Sequence, residues 1–389
     1  MINRKKVASR IADIEPFRVV EVLTRAHQLE ASGLNVFHLE AGEPDFDTAD
    51  PIKEAAIEAI KAGNTHYTAA TGIPELREKI AAFYHTEYGV TVDPRRILVT
   101  PGASGALMLA AALLADPGSS VLMADPGYPC NRHFFRMVEG QAILVPVDAA
   151  DRYQLNADKA AQYWREDTMG AIVASPANPT GSSLTDAELR GLLNLTAERG
   201  GHLIVDEIYH GLEFGKPSNT VLAQSEDCFV VNSFSKYFGM TGWRLGWLVA
   251  PEWAVEGLEK LAQNLFISMS TPAQYGALAC FEPHTRQLLD QRREAFASRK
   301  EILLKGLREL GFSIPIDPAG GLYIYANIEK FSDDCEVFCR DMLENHGIAI
   351  TPGTDFGHHL ARQHVRFSYT LEQEKIEQAL AIMRQVLPK

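Results

Sequence analysis

Short apolar stretches alternate along most of the chain with longer segments whose apolar positions recur every three or four residues. Short stretches of this kind are typical of buried strands, and the longer periodic segments are typical of amphipathic helices. Their alternation predicts an α/β fold with a mostly parallel sheet flanked by helices. The seven predicted strands are residues 96–100, 120–125, 142–147, 170–175, 202–207, 228–233 and 246–250.

Local signals mark several helices between these strands. Pro51 favours the start of one helix and Gly63 its end. Thr185 and Glu188 have the spacing of a capping box, which opens another. The nearly pure apolar run 106–115 is too short to cross a bilayer, so we expect a buried helix there.

The pattern changes after about residue 290, where a long charged helix (291–310) leads to an alternating strand (321–328). A helix near 336–344, a strand at 364–369 and a final amphipathic helix follow. This order predicts a smaller α+β domain. The pattern alone does not show where the first forty or so residues pack.

Composition excludes some classes of partner. Lys and Arg total 37 against 50 Asp and Glu, a net charge of −13, which disfavours nucleic acid or an anionic membrane. No apolar stretch follows the basic first ten residues, so a secretory signal is not indicated.

Five irregularly spaced cysteines suggest reduced thiols and a cytoplasmic protein. Cys335 and Cys339 lack the second pair that would complete a zinc site, so we expect no metal.

Two basic residues follow a predicted buried strand. Lys236 ends the sequence Ser233-Phe-Ser-Lys, and partial burial there would favour a neutral amine that can form a Schiff base. Arg244 lies in an otherwise apolar stretch, where a phosphate would suit its guanidinium. A buried structural ion pair would explain both residues equally well.

Polar residues also follow two other predicted strands. Asp206 ends a buried strand, where a carboxylate needs a cation such as a protonated pyridine nitrogen. Tyr209 and Asn178 could donate hydrogen bonds to the same ring. A helix cap, a core tyrosine and an ordinary turn are the structural alternatives.

Two further segments could bind anions. The small residues 100–105 precede a helix whose N-terminus could approach a phosphate. Arg366 lies in an alternating strand, where it could either grip a carboxylate or face solvent.

Together these motifs resemble the pyridoxal 5′-phosphate (PLP) dependent aminotransferases of fold type I, class I/II, the aspartate aminotransferase superfamily. The similarity runs from Ala41-Gly-Glu-Pro-Asp-Phe46 through His66-Tyr-Thr68 to the strand of Arg366, nearly the whole length. Residues 233–246, which match the PLP-attachment signature, are its most specific stretch. The resemblance implies a large PLP-binding domain, residues 45–290, and a small domain, residues 1–44 and 291–389, that closes over the active site.

The resemblance also implies residue roles. Lys236 would hold PLP as an internal aldimine and shuttle the proton of a ping-pong transfer, with Asp206 and Tyr209 also catalytic. The substrate α-carboxylate would bind Arg366, Gly42 and Asn178. Tyr67 would reach the phosphate of the neighbouring subunit of a homodimer. The cofactor-binding set would be Ala103, Ser104, Tyr128, Asn178, Asp206, Tyr209, Ser233, Lys236, Arg244 and Tyr67.

Substrate choice stays open. Some similar aspartate aminotransferases carry a lysine in the phosphate turn for the distal carboxylate, and Ser104 stands at the matching place here. The sequence is therefore as consistent with a pocket for neutral, aromatic or varied side chains, lined by Phe17, as with a pocket for acidic ones. Glutamate and 2-oxoglutarate would be one substrate couple. A carbon–sulfur lyase of the same fold is an alternative. A non-catalytic PLP-binding regulator is another, disfavoured by the acidic charge and by the lack of a preceding helix-turn-helix pattern.

Overall fold

The computed structural model describes residues 7–215 and 217–388. Its strands confirm all seven predicted ones, with ends within two residues of the predicted bounds. The strands are β1 (Phe37–His38), β2 (Ile97–Thr100), β3 (Ser120–Asp125), β4 (Gln141–Pro146), β5 (Thr168–Ala174), β6 (His202–Asp206), β7 (Phe229–Ser233), β8 (Gly246–Val249), β9 (Tyr323–Asn327), β10 (Ile348–Ala349), β11 (Thr351–Pro352) and β12 (His364–Ser368).

The helices follow the predicted signals. The capping box of Thr185 and Glu188 forms at the start of α7, and Pro51 lies in the first turn of α2. The helices are α1 (Arg18–Ala31), α2 (Asp50–Lys61), α3 (Pro74–Tyr88), α4 (Gly102–Leu114), α5 (Cys130–Met137), α6 (Ala157–Tyr163), α7 (Asp186–Glu198), α8 (Glu252–Leu265), α9 (Thr271–Leu278), α10 (Pro283–Leu310), α11 (Cys335–His346) and α12 (Gln373–Val386).

The large sheet has the strand order β2-β8-β7-β6-β5-β3-β4. β8 runs antiparallel to both of its neighbours, and the remaining pairs are parallel. Alternate residues of each strand face opposite sides, so Val205 packs into one buried cluster and Ile204 into another. Helices α4 and α8 cover the Ile204 face. These layers confirm the predicted α/β fold.

The remaining strands form two small sheets, β11-β12-β9 and the parallel pair β1-β10. The pairing of β1 with β10 and the packing of Ala26 of α1 against Leu343 of α11 show where the first forty residues lie. The N-terminal segment therefore packs on elements that the chain forms more than 300 residues later.

Two helices, α4 and α10, test further expectations from the sequence. The run 106–115 lies mostly within α4, whose residues are largely buried, as predicted. α10 begins at Pro283 rather than at residue 291, because proline at the first helical position supports an earlier start. Within residues 7–215 and 217–388, every helix is too short or too polar to cross a bilayer. All five cysteines are free thiols.

Candidate active site

A cavity of about 410 Å³ lies at the carboxyl-terminal edge of the large sheet. Strands β5, β6 and β7 are parallel, with Ala174 opposite Asp206 and Asp206 opposite Val231, so their ends reach the same edge. Two successive antiparallel pairings bring the end of β2 and the start of β8 to this edge as well. In α/β proteins the crevice outside the strand ends is the usual ligand site. All of the predicted site residues line it except Tyr67, which is 81% exposed elsewhere on the chain.

Lys236 lies in the turn after β7, with its side chain on the cavity wall. Its Nζ donates a hydrogen bond of 2.6 Å to the carbonyl oxygen of Gly42. Phe234 and Phe238, both buried, pack against each other and against Trp247 on either side of the turn. Because this packing fixes the backbone around Lys236, the amine is directed into the cavity.

Residues 39–42 offer four successive carbonyl oxygens to donors from different parts of the chain. The Glu40 oxygen accepts from Arg366 and the Gly42 oxygen from Lys236, so the segment connects two cations of the cavity. The Leu39 oxygen accepts from the Ser368 amide, 2.7 Å away, and the Ala41 oxygen accepts from the Thr370 hydroxyl. A side chain at residue 42 would overlap the hydroxyl of Tyr323, so this position requires glycine.

Asp206 is a buried carboxyl group that faces the cavity. It accepts a hydrogen bond of 3.0 Å from the backbone amide of Ile208. Burial raises the pKa of Asp206 to about 7, because the Ile208 hydrogen bond only partly offsets the loss of solvation and the charge of Glu207 adds to it. No ion pair with Asp206 forms in the described part of the chain. The site can therefore accept a cationic group from a ligand.

Three ring or amide groups surround the position that Asp206 faces. The Tyr209 hydroxyl donates to that of Tyr323 at 3.0 Å, and burial raises the pKa of Tyr209 well above its usual value. Tyr128, in the loop after β3, meets Phe17 edge to face with ring centres 6.2 Å apart. Asn178, buried in the loop after β5, lines the same wall.

The cavity has an anion-binding corner at the N-terminus of α4. Ala103 and Ser104, in its first turn, lie beside Arg244, whose hydrogen bond goes to the carbonyl oxygen of Thr241. A Cβ on Gly102 would come 2.8 Å from the Arg244 guanidinium, so glycine is needed for this approach. The hydroxyl oxygen of Ser233 adds a further polar group. A helix N-terminus with a guanidinium and a hydroxyl suits a phosphate.

Arg366 lies on β12 and is 2% exposed. Its Nη1 donates to Oδ1 of Asn178 at 3.0 Å and its Nη2 to the carbonyl oxygen of Glu40 at 2.5 Å. The guanidinium carbon lies 4.1 Å from the centre of the Tyr323 ring, and Nε has no hydrogen-bond partner among the described residues. Since all of its acceptors are neutral, this buried charge can bind an anionic group of a ligand.

Tyr323 is a site residue that sequence reasoning missed. It touches Arg366 and Tyr209 and sets the limit on residue 42. The sequence places it in a predicted alternating strand, where an aromatic residue is normally taken as core. Thr241 and Glu43, which hydrogen-bond each other at the rim of the cavity, were missed as well.

The chain is similar to known proteins over nearly its whole length. The family model for aminotransferase class I and II matches residues 35–383. A valine–pyruvate aminotransferase of Mycobacterium tuberculosis is 36% identical over 385 residues, 98% of this chain and 99% of that protein. An aspartate/prephenate aminotransferase of Thermus thermophilus is 32% identical over 98% of each chain. The crystal structure of an aminotransferase from M. tuberculosis has a TM-score of 0.95 and 35% identity and covers 99% of each chain.

The raised pKa of Asp206 predicts a pH-dependent stability for the ligand-free protein. The folded state keeps a proton on Asp206 up to about pH 7, whereas the unfolded chain loses it near pH 4. The unfolded state therefore binds fewer protons in this window, and this group's contribution to stability falls as the pH rises through it. Asp206→Asn cannot ionise. We therefore expect its free energy of unfolding, relative to that of the wild type, to be higher at pH 8 than at pH 5.

Urea unfolding at pH 5 and pH 8 measures this difference. Asp116→Asn, at an exposed position, is the matched control and should show no such change. An equal effect of Asp206→Asn at both values would contradict the burial argument.

Proposed function

This chain belongs to the class I and II aminotransferases, and we propose which substrates it takes and which residue performs each step. Members of this family use PLP, and the chain is a transaminase that acts on amino acids and 2-oxo acids. We propose an L-amino acid with a neutral, apolar side chain as the donor. The acceptor is a 2-oxo acid, with glutamate and 2-oxoglutarate as one couple.

The cavity fits PLP at both ends. The corner formed by Arg244 and the start of α4 suits a phosphate, and Gly102 leaves room for the guanidinium there. At the other end, the unpaired carboxyl of Asp206 suits a pyridinium nitrogen. We assign the phosphate to the amides of Ala103 and Ser104 with the side chains of Ser233 and Arg244, the ring nitrogen to Asp206, the ring oxygen to Asn178 and Tyr209, and the ring face to Tyr128.

Bound PLP supplies an electron-withdrawing ring that stabilises negative charge at the substrate Cα. Lys236 would hold the cofactor covalently. When the substrate amine replaces it, Nζ would take the proton from Cα as a general base. Asp206 would stay ionised beside a cationic ring, since an opposite charge in contact lowers a carboxyl pKa. The turn packing around Lys236 would keep its amine within reach of Cα.

Arg366 would bind the α-carboxylate that all amino-acid substrates share, helped by Gly42 and Asn178. Its acceptors in the described part of the chain are neutral, so the substrate would provide the missing anion. The ring of Tyr323 fixes the plane of the guanidinium. A planar guanidinium held this way favours two parallel hydrogen bonds to a carboxylate.

The observation that carries the donor preference is the composition of the remaining cavity wall. Phe17, Val20, Leu23, Leu107 and Ile208 provide apolar surface there. The cationic side chains of the wall are Lys236, Arg244 and Arg366, and each has a role above. A distal carboxylate would be desolvated without a partner, which is costly. The valine–pyruvate activity named for a similar protein is consistent with an apolar donor.

We also propose a homodimer with shared active sites. Tyr67 lies away from the cavity of its own chain and is largely exposed, so it is available to the phosphate corner of a second subunit. An exposed tyrosine of this kind matches the position that reaches across in the family the chain resembles.

Replacing Lys236 tests the assignment of the base. We expect Lys236→Ala to lower steady-state transamination by at least about 10³-fold, because no other amine would be placed to remove the Cα proton. Circular dichroism and thermal unfolding should show a folded protein, since the phosphate corner is intact. Lys61→Ala, at an exposed lysine, is the control. Near-normal turnover by Lys236→Ala would refute the assignment.

Replacing Arg366 tests the binding of the α-carboxylate. We expect Arg366→Lys to lower kcat/KM by about 10²-fold for valine, phenylalanine and aspartate alike, because it loses two hydrogen bonds to a charged group. Arg96→Lys is the control, because it changes a buried arginine at the opposite edge of the sheet. It should leave kcat/KM for each donor unchanged. Selective loss of aspartate alone would instead place Arg366 at the side chain.

A donor and acceptor panel tests the substrate class. We expect kcat/KM for valine, leucine or phenylalanine to exceed that for aspartate by at least about tenfold, because the apolar wall offers no counter-charge. Each donor is assayed with 2-oxoglutarate and with pyruvate, and formation of the product amino acid is measured. Preference for aspartate would overturn the apolar pocket. Release of pyruvate and ammonia without an acceptor would favour a lyase.

A further inference from the structure

A second group of chemically active side chains lies outside the cavity, where α1 meets β1. His27 and Glu30 are three residues apart on α1 and both are exposed, and His38 ends β1. One potential ligand atom from each lies within 4.8 Å of the others. Nε2 of His38 and Oε1 of Glu30 are 3.2 Å apart.

A buried carboxylate orients the ring of His38. Oε1 of Glu40 lies 2.7 Å from Nδ1 of His38, and the Glu40 side chain is fully buried. Its Oε2 has no hydrogen-bond partner among residues 7–215 and 217–388. Nδ1 is thus engaged from the interior, and Nε2 is left for the surface side, where Glu30 and His27 stand. Carboxylates commonly orient metal-binding histidines in this way.

We propose that His27, Glu30 and His38 bind a divalent transition metal ion of the Zn²⁺ type. Two imidazoles and one carboxylate are a ligand set that Zn²⁺ accepts, with water completing four-fold coordination. Bonds of about 2.0–2.1 Å in a tetrahedron place ligand atoms about 3.4 Å apart, close to the separation of the His38 and Glu30 atoms. Small rotations of the exposed His27 side chain would bring the third ligand in.

The ion would join two elements of the N-terminal segment. Both elements lead to the cavity. α1 carries Leu23, which lines the cavity, and two residues after His38 the carbonyl oxygen of Glu40 accepts a hydrogen bond from Arg366. The ligands themselves lie outside the cavity, so the ion is not a participant in the transamination chemistry. Because an ion that binds only the folded protein stabilises it, Zn²⁺ should raise the unfolding temperature.

Calorimetric titration tests the site. The full-length holoenzyme, made without a histidine tag and freed of metal by a chelator, is titrated with Zn²⁺. We expect one ion per chain, with affinity at least tenfold lower in His27→Gln and in Glu30→Gln. Both residues are exposed, so both variants should fold. His85→Gln and Glu54→Gln, also at exposed helix positions, are matched controls and should bind as the wild type does.

A further variant separates a metal site from a simple ion pair. Glu40→Gln should lower Zn²⁺ affinity by about 10- to 100-fold, the usual effect of losing a carboxylate that orients a ligand. If His38 only forms ion pairs with Glu30 and Glu40, the holoenzyme will bind no Zn²⁺ and its unfolding temperature will not respond to the ion. That result, or wild-type affinity in both His27→Gln and Glu30→Gln, would overturn the proposal.

Discussion

The parallel register of β5, β6 and β7 determines where the chemistry of this protein can occur. Because these strands end at the same edge, Asn178, Asp206 and Lys236 meet although they are far apart in sequence. β8 reverses direction beside β7 and therefore brings Arg244, just before its start, to the same edge. The positions of the anion-binding corner and of the carboxyl group of Asp206 are thus set by strand pairing, and side-chain packing only refines them.

The cavity contains two buried charged groups that form no direct ion pair with another side chain among the described residues. Arg366 has neutral acceptors, and Asp206 is buried with a raised pKa. Such groups cost stability in the ligand-free protein, and a complementary ligand compensates them. An anion at Arg366 and a cation at Asp206 are what an amino-acid substrate and a pyridinium ring provide. The same charges therefore favour binding and oppose ligand-free stability.

The sequence predicted the large sheet well because most of its strands are buried on both faces and contain continuous apolar runs, as 203–205 does. A charge next to an apolar run also drew attention to Lys236, Asp206 and Arg244, and the three line one cavity. The sequence could not place the first forty residues, because β1 and β10 have two residues each and carry no periodicity. Tyr323 was not predicted for a related reason. The alternation of apolar and polar residues in β9 does not distinguish an aromatic residue of the core from one that contacts the site.

The four carbonyl oxygens of residues 39–42 restrict the length of the chain at this point. Each accepts a hydrogen bond from a different donor, so inserting or deleting one residue would shift the carbonyl oxygens out of register with these donors. Arg366 and Lys236 would lose their anchors together. Substitutions at Ala41 that preserve the backbone conformation can be accommodated, whereas an insertion or a deletion cannot be. Insertions and deletions in the N-terminal segment can therefore be tolerated only outside this tetrapeptide.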